Sequence, residues 1–192
     1  MQPISDERTI IARAQQGHEE AISYLYETYL QAIFEYIRYR VDSTPLAEDL
    51  TAEVFLRMVR NLPGYEEKGI PFRAWLYRIA ANLLIDHYRQ QDKKRTIALS
   101  EEFESDDTDP VNRLAEEEKF LRLRQALRTL PTDYQDLLVL RFVEELPHAE
   151  IAKIMNKTAM ALRAMQHRAL KALALELEKM GQTQGFIGGN ES

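Results

Sequence analysis

The chain has 192 residues, a formal charge of −6, no cysteine and a 45% hydrophobic share, which allows one medium domain or two small ones with real cores. Absence of cysteine excludes a disulfide framework, a thiolate metal site and a cysteine nucleophile, and only seven glycines, four of them from Gly181 onward, exclude a phosphate-cradling loop or a hairpin-rich sheet. The composition predicts an all-α fold; no apolar run approaches the roughly 18 residues of a membrane helix, and the start MQPISDERTI carries acids where an export signal would be basic, so a cytoplasmic protein without membrane insertion is expected.

Ser5 is placed to cap a short first helix with Asp6 and Glu7 in its opening turn and its end near Gly17. A long helix is predicted over 19–40, where Ile22, Leu25, Tyr29, Ile33 and Ile37 recur at three- or four-residue steps. Thr44 then caps a third helix with Pro45 at its first position, and Leu46, Leu50, Val54 and Met58 form its apolar row. The loop NLPGYEEKG leads to a fourth helix from near Pro71. Four amphipathic helices over 5–95 predict a compact bundle.

On a wheel of the fourth helix, Phe72, Leu76, Ile79, Ala80 and Leu83 share one side and should face the core. Trp75, Arg78, Asn82 and Arg89 cluster on another, with Lys93-Lys94-Arg95 just beyond. An aromatic plane, an amide and several cations on one face suit nucleic acid: bases stack on the ring, the amide bonds base edges and the cations hold phosphates. The plainer alternative makes Trp75 core and the arginines solvated. The neighbouring Tyr65 and Lys68 add a second surface at the start of the helix and favour the functional reading.

Charge is partitioned along the chain. Residues 1–60 carry net −4, 61–95 net +3, 96–118 net −8 and 119–180 net +4, the pattern of two polyanion-facing modules joined by an acidic spacer. The stretch TIALSEEFESDDTDPVNRL, 96–114, reads as that spacer. It divides the bundle from a second domain over 115–180, and residues 181–192 have the composition of a flexible tail.

The second domain opens with the charged helix EEEKFLRLRQALRTL, ended by Pro131. Thr132-x-x-Gln135 has the capping-box pattern ahead of Leu137, Leu138 and Leu140. A turn near 144–146, the short helix HAEIAKIM and a long helix started by Thr158 and running to about Met180 draw a helix-turn-helix outline. In the long helix Ala161, Leu162, Met165, Ala169, Ala172 and Leu173 share one face. Met160, Arg163, Ala164, His167 and Lys171 share the other, with Arg168 on its flank. Small and basic residues together allow close approach to DNA, Arg163 to a guanine edge and Arg168 and Lys171 to phosphates.

Read together, AEDLTAEVFLRMVRNLPGY (47–65), FRAWLYRIAANLLIDHYRQQ (72–91) and LPTDYQDLLVLRFVEELPHAEIAKIMNKT (130–158) resemble a bacterial RNA polymerase sigma factor of the extracytoplasmic-function (ECF) type, group 4 of the sigma-70 family. The resemblance implies an N-terminal promoter-melting domain (region 2, 5–95), a flexible linker and a C-terminal helix-turn-helix domain (region 4, 115–180). It implies that the third helix, with Glu48, Asp49, Leu50, Glu53, Val54 and Phe55, docks the clamp helices of the polymerase largest subunit. The flap of the second-largest subunit and an anti-sigma factor are further implied partners, and promoter DNA is the ligand. The loop Asn61–Gly69, with Pro63, Gly64, Tyr65 and Lys68, matches the segment that captures a flipped base of the −10 element, and Asn82 a residue contributing to it. Arg163, Ala164, His167 and Arg168 match positions facing the −35 element. Two departures stand out: Pro147 replaces a common serine cap, and AMALRAMQHRAL replaces the usual valine-lysine-serine-arginine pattern, which leaves the preferred −35 sequence open.

A stand-alone helix-turn-helix regulator with an N-terminal interaction domain would account for 115–180 equally well, but not for Trp75, Arg78 and Asn82 sharing a face beside an acidic docking helix. An enzyme is not expected: His18, His87, His148 and His167 are scattered without metal-ligand spacing. No cofactor and no metal are expected either.

Overall fold

The computed structural model describes residues 6–67, 69–97 and 114–187. Ser5, Lys68 and nearly all of the expected spacer lie outside the described residues, and among those described there is no strand. Two compact units divide the chain, 1–101 and 102–192.

In the first unit, α1 (Glu7–Gln15) starts at Asp6, whose carboxylate accepts the Arg8 N–H at 3.3 Å. The cap is therefore Asp6, one residue later than the sequence pattern suggested. Gly17, at φ +84°, makes the left-handed turn into α2 (Glu19–Arg38). α2 buries Ala21, Leu25, Ile33, Tyr36 and Ile37, whereas Ile22 and Tyr29 are half-buried. The cap of α3 (Thr44–Asn61) is Ser43 rather than Thr44: its hydroxyl accepts the Leu46 N–H at 3.4 Å. Pro45 sits in the first turn, where a missing N–H costs nothing. α3 buries Ala47, Thr51, Val54, Phe55 and Met58.

α4 (Phe72–Ile97) completes a bundle in which α1 packs on α2, α2 on α3 and α4, and α3 on α4. Its core side holds Phe72, Leu76, Tyr77, Ala80, Leu83 and Leu84, with Ile79 only half-buried. Each large apolar side chain fully enclosed this way contributes roughly 1.5–3 kcal/mol. Arg40 is also fully buried. Its guanidinium donates to the Tyr36 hydroxyl at 2.6 Å and lies 5.2 Å from the Tyr36 ring, which compensates a charge taken out of water.

The second unit comprises α5 (Leu114–Arg128), α6 (Thr132–Leu138), a π-helical turn (Val139–Val143), α7 (His148–Met155) and α8 (Ala159–Ile187). α8 packs on α5, α6 and α7. The expected capping box does not form. Pro131 occupies the cap position and Thr132 is already helical. Gln135 turns inward and donates to Leu130 O at 2.8 Å. A buried amide needs a partner, and the free carbonyls at the end of α5 supply it. The turn before α7 holds Glu145 at φ 53° and is tied by Arg141 Nη1 to Leu146 O at 3.0 Å. Asn156, left-handed at φ 53° and ψ 47°, ends α7. Thr158 then caps α8, its hydroxyl accepting the Ala161 N–H at 3.2 Å. α8 continues past Met180 to Ile187. Gly181 lacks the positive φ that glycine needs to end a helix, which only Gly17 and Gly69 show among the described glycines.

Candidate nucleic-acid and polymerase interfaces

α3 projects one face from the bundle. Glu48 and Asp49 are exposed, Leu50 and Glu53 half-buried. Glu53 holds Arg57 at 2.8 Å, and Arg57 reaches Asp86 of α4 at 3.9 Å. Val54 and Phe55, expected at the same surface, instead point into the bundle, 0% and 5% exposed, and Phe55 meets the Tyr26 ring edge-on at 4.7 Å. An i,i+4 apolar row cannot serve both core and surface, and here the core takes it. Leu56 and Val59, 53% and 42% exposed, are the apolar groups that α3 presents outward. Sequence reasoning passed over both; the seven-residue step from Asp49 to Leu56, two helical turns, was the available signal.

The loop between α3 and α4 begins as a 3-10 turn, Leu62–Gly64. Leu62 is its buried anchor, while Asn61, Pro63 and Gly64 are exposed. The Asn61 amide donates to Arg57 O at 2.8 Å and so finishes α3. Tyr65, expected as a surface group, is buried: its ring stands 4.8 Å from Trp75 and 5.5 Å from Phe72, and its hydroxyl donates to Ile70 O at 2.9 Å. Burial pushes its phenol up to about 12, with Glu67 and Glu7 adding to the shift. Tyr29 is likewise pushed up by burial and by its hydrogen bond to Glu7. Gly69 closes the loop at φ +77°, a conformation that disfavours any side chain.

Trp75 is half-buried in this aromatic cluster, 5.4 Å from Phe72, so it is both core and surface. Arg78 is half-buried on the same side, and Asn82 and Arg89 are exposed. A partly open indole, an amide and cations thus line one side of α4.

In the second unit, Thr158, Arg163, Ala164, His167, Arg168 and Lys171 are all exposed on α8, and Met160 is 82% exposed. Leu162, Met165 and Ala169 face inward. Ala161, expected in the core, is exposed, and Ala172 and Leu173 are half-buried, so the buried stripe is narrower than the wheel suggested. His148 at the start of α7 and Gln166 of α8 hydrogen-bond at 2.7 Å, tying the two helices of the motif together. Lys157 meets Asp133 at 3.0 Å beside the turn. Among the described residues, no group of histidine, aspartate and glutamate could hold a metal ion, and no helix is long and apolar enough to cross a membrane.

Comparison with known proteins gives these surfaces a context. The family model Sigma-70 region 2 matches residues 25–94, and Sigma-70, region 4 matches residues 120–173. The ECF RNA polymerase sigma factor BldN of Streptomyces coelicolor is 34% identical over 86% of this chain, and the match spans 63% of that relative's length. The ECF RNA polymerase sigma factor SigD of Mycobacterium tuberculosis is 32% identical over 90% of this chain and 84% of its own. The solved structure of CnrH in complex with the cytosolic domain of CnrY has the same fold, with a TM-score of 0.69, 22% identity, and 90% and 97% of the two chains covered. With two sigma-70 regions in order and a relative matched along most of its length, the chain belongs to the ECF family of RNA polymerase sigma factors, transcription initiation factors that direct polymerase to promoters.

Proposed function

We propose that the first unit is the region 2 module, spanning 5–95, and the second the region 4 module, spanning 115–180. On this reading the chain binds core polymerase and promoter DNA in the cytoplasm. Glu48, Asp49, Leu50 and Glu53 face the largest-subunit clamp helices, with Leu56 and Val59 supplying apolar contact. Val54 and Phe55 hold α3 in place from within. Asn61, Pro63, Gly64 and Lys68, with Trp75, Arg78, Asn82 and Arg89, receive an unstacked base and the backbone of the −10 strand, and Tyr65 supports them from below. Arg163, Ala164 and His167 read the −35 element in the major groove, with Arg168 and Lys171 on phosphates and Thr158 setting the start of the helix. Residues 96–114 act as linker and 181–192 as tail. The flap of the second-largest subunit and an anti-sigma factor are the further partners that family membership implies. Phosphodiester chemistry belongs to the polymerase, and this chain is not itself an enzyme.

The observation that carries the reading is the solvent side of α8, where Arg163, Ala164, His167, Arg168 and Lys171 are all exposed behind a tight turn. Run-off transcription with purified core polymerase and a genomic promoter library tests it. Promoter-specific transcripts that require the chain are expected. Sequence-specific DNA binding with no association to core polymerase would return the stand-alone regulator, which has no use for the α3 face.

A further inference from the structure

The loop at 61–70 is held from outside its own segment. Gln15, the last residue of α1, directs its side-chain nitrogen at two loop carbonyls, Leu62 O at 3.1 Å and Tyr65 O at 2.7 Å. A primary amide nitrogen has two hydrogens, one for each acceptor; the amide oxygen could bond neither. Leu62 O also accepts the Tyr65 N–H at 3.0 Å, so Gln15 binds both ends of the turn at the tip. A second tie, Arg8 to Glu67 at 3.1 Å, reaches the far side of the loop. Between the two lies a crevice of about 200 Å³. The ties are unequal. Arg8 and Glu67 are 76% and 38% exposed, and such pairs contribute little. The Gln15 bonds are part-buried, so losing the donor takes the side-chain partner from Tyr65 O and leaves Leu62 O with the Tyr65 N–H.

We propose that Gln15 is a positioning residue for −10 reading: without touching DNA, it fixes the turn that carries Pro63 and Gly64 and ends on the tyrosine packed against Trp75. This rests on the reading of the 61–69 loop as the base-receiving segment. Tyr65 transmits the constraint, because one carbonyl that Gln15 holds belongs to the residue whose ring lies 4.8 Å from Trp75, tilted at 37°. No motif marks this role; it is carried by one glutamine at a helix end, far from the loop in sequence.

The test uses full-length holoenzyme on a promoter library randomised at −10, with core affinity and the −35 preference measured alongside. Gln15→Met keeps an unbranched side chain but no donor, and Gln15→Lys restores a donor. Gln15→Met is expected to flatten the −10 preference by roughly three- to tenfold, the worth of one or two part-buried hydrogen bonds. Core affinity and −35 preference should hold, and Gln15→Lys should recover most of the loss. A Gln15→Met profile matching wild type, or a loss equal across all −10 sequences, would overturn the proposal. Should Gln15→Met fail to fold, Gln15→Lys decides: a retained profile supports donation, and a flattened one overturns it. Asn82→Ala is the control for the underlying reading. If it flattens the profile and Gln15→Met does not, only the proposal falls; if neither does, the −10 assignment falls and takes the proposal with it.

Discussion

Arg163 and Lys171 are both exposed on α8, yet their expected duties differ. Arg163 lies one turn into the helix, at the depth where side chains reach base edges, and Ala164 beside it leaves room for close approach. Lys171 lies two turns further along, better placed for a phosphate. Arg163→Ala should cost roughly 1–3 kcal/mol and relax preference at one −35 position, whereas Lys171→Ala should weaken all sequences alike and reduce the salt slope by about one. A randomised −35 library at two salt concentrations separates the two; a changed preference from Lys171→Ala alone would reverse the orientation given to α8. Tyr65 makes a prediction of another kind. Its phenol, raised by burial to about 12, stays protonated in the fold where the unfolded chain, near 10, has lost its proton. The unfolded state then binds fewer protons, so stability falls as pH rises through that window. Tyr65→Phe should cost about 1 kcal/mol at neutral pH through its lost bond to Ile70, and should make the alkaline fall shallower in pH-dependent melting. Tyr29, also raised, keeps part of the fall in place.

At the scale of the element, α3 has two faces with separable consequences. Asp49 is exposed and Leu56 is 53% exposed, so neither contributes much to the bundle. Asp49→Lys and Leu56→Ser should each weaken core polymerase binding by roughly five- to thirtyfold, the range of a moderate interface residue, with helical content and melting temperature nearly unchanged. Val54→Ala should do the reverse, lowering stability by about 1–3 kcal/mol through a cavity and affecting binding only through the folded fraction. Co-purification and calorimetric melting on the same variants would show which face does which. Much of this arrangement was legible in the sequence, because Leu25, Ile33, Val54 and Met58 keep a helical period over several turns and the fold follows that period. The caps were misplaced by a residue at Ser5 and Thr44 because Asp6 and Ser43 beside them compete for the same N–H groups. The apparent capping box at Thr132 failed because Gln135 is buried and answers to α5. Periodicity also could not say that Tyr65 is enclosed, since its burial depends on Phe72 and Trp75 from the next helix. Gln15 escaped for the same reason: its partners are backbone carbonyls, which leave no mark in the sequence.

For the whole molecule, the distribution of charge matters more than its total. Residues 61–95 and 119–180 carry +3 and +4, whereas 1–60 and 96–118 carry −4 and −8. Nucleic acid attracts the first pair and repels the second, and each cation placed on a phosphate adds about 0.9 to the salt slope of binding. In a chain of net −6 the acidic segments offset such contacts, and its own field slows approach to a polyanion. Free protein should therefore bind promoter duplex weakly and with little sequence preference, and core polymerase should supply most of the phosphate contacts of the initiation complex. Replacing Glu101, Glu102, Glu104, Asp106 and Asp107 by their amides removes five of the acids in 96–118. That variant should bind duplex DNA more tightly at low salt as the free chain, while promoter choice by the holoenzyme stays the same. Fluorescence anisotropy on a −35 duplex, with and without core polymerase and at two salt concentrations, measures both effects. Tight, sequence-specific duplex binding by the unmodified free chain would show that its basic faces act independently of the acidic segments, and that polymerase is not needed to bring them to DNA.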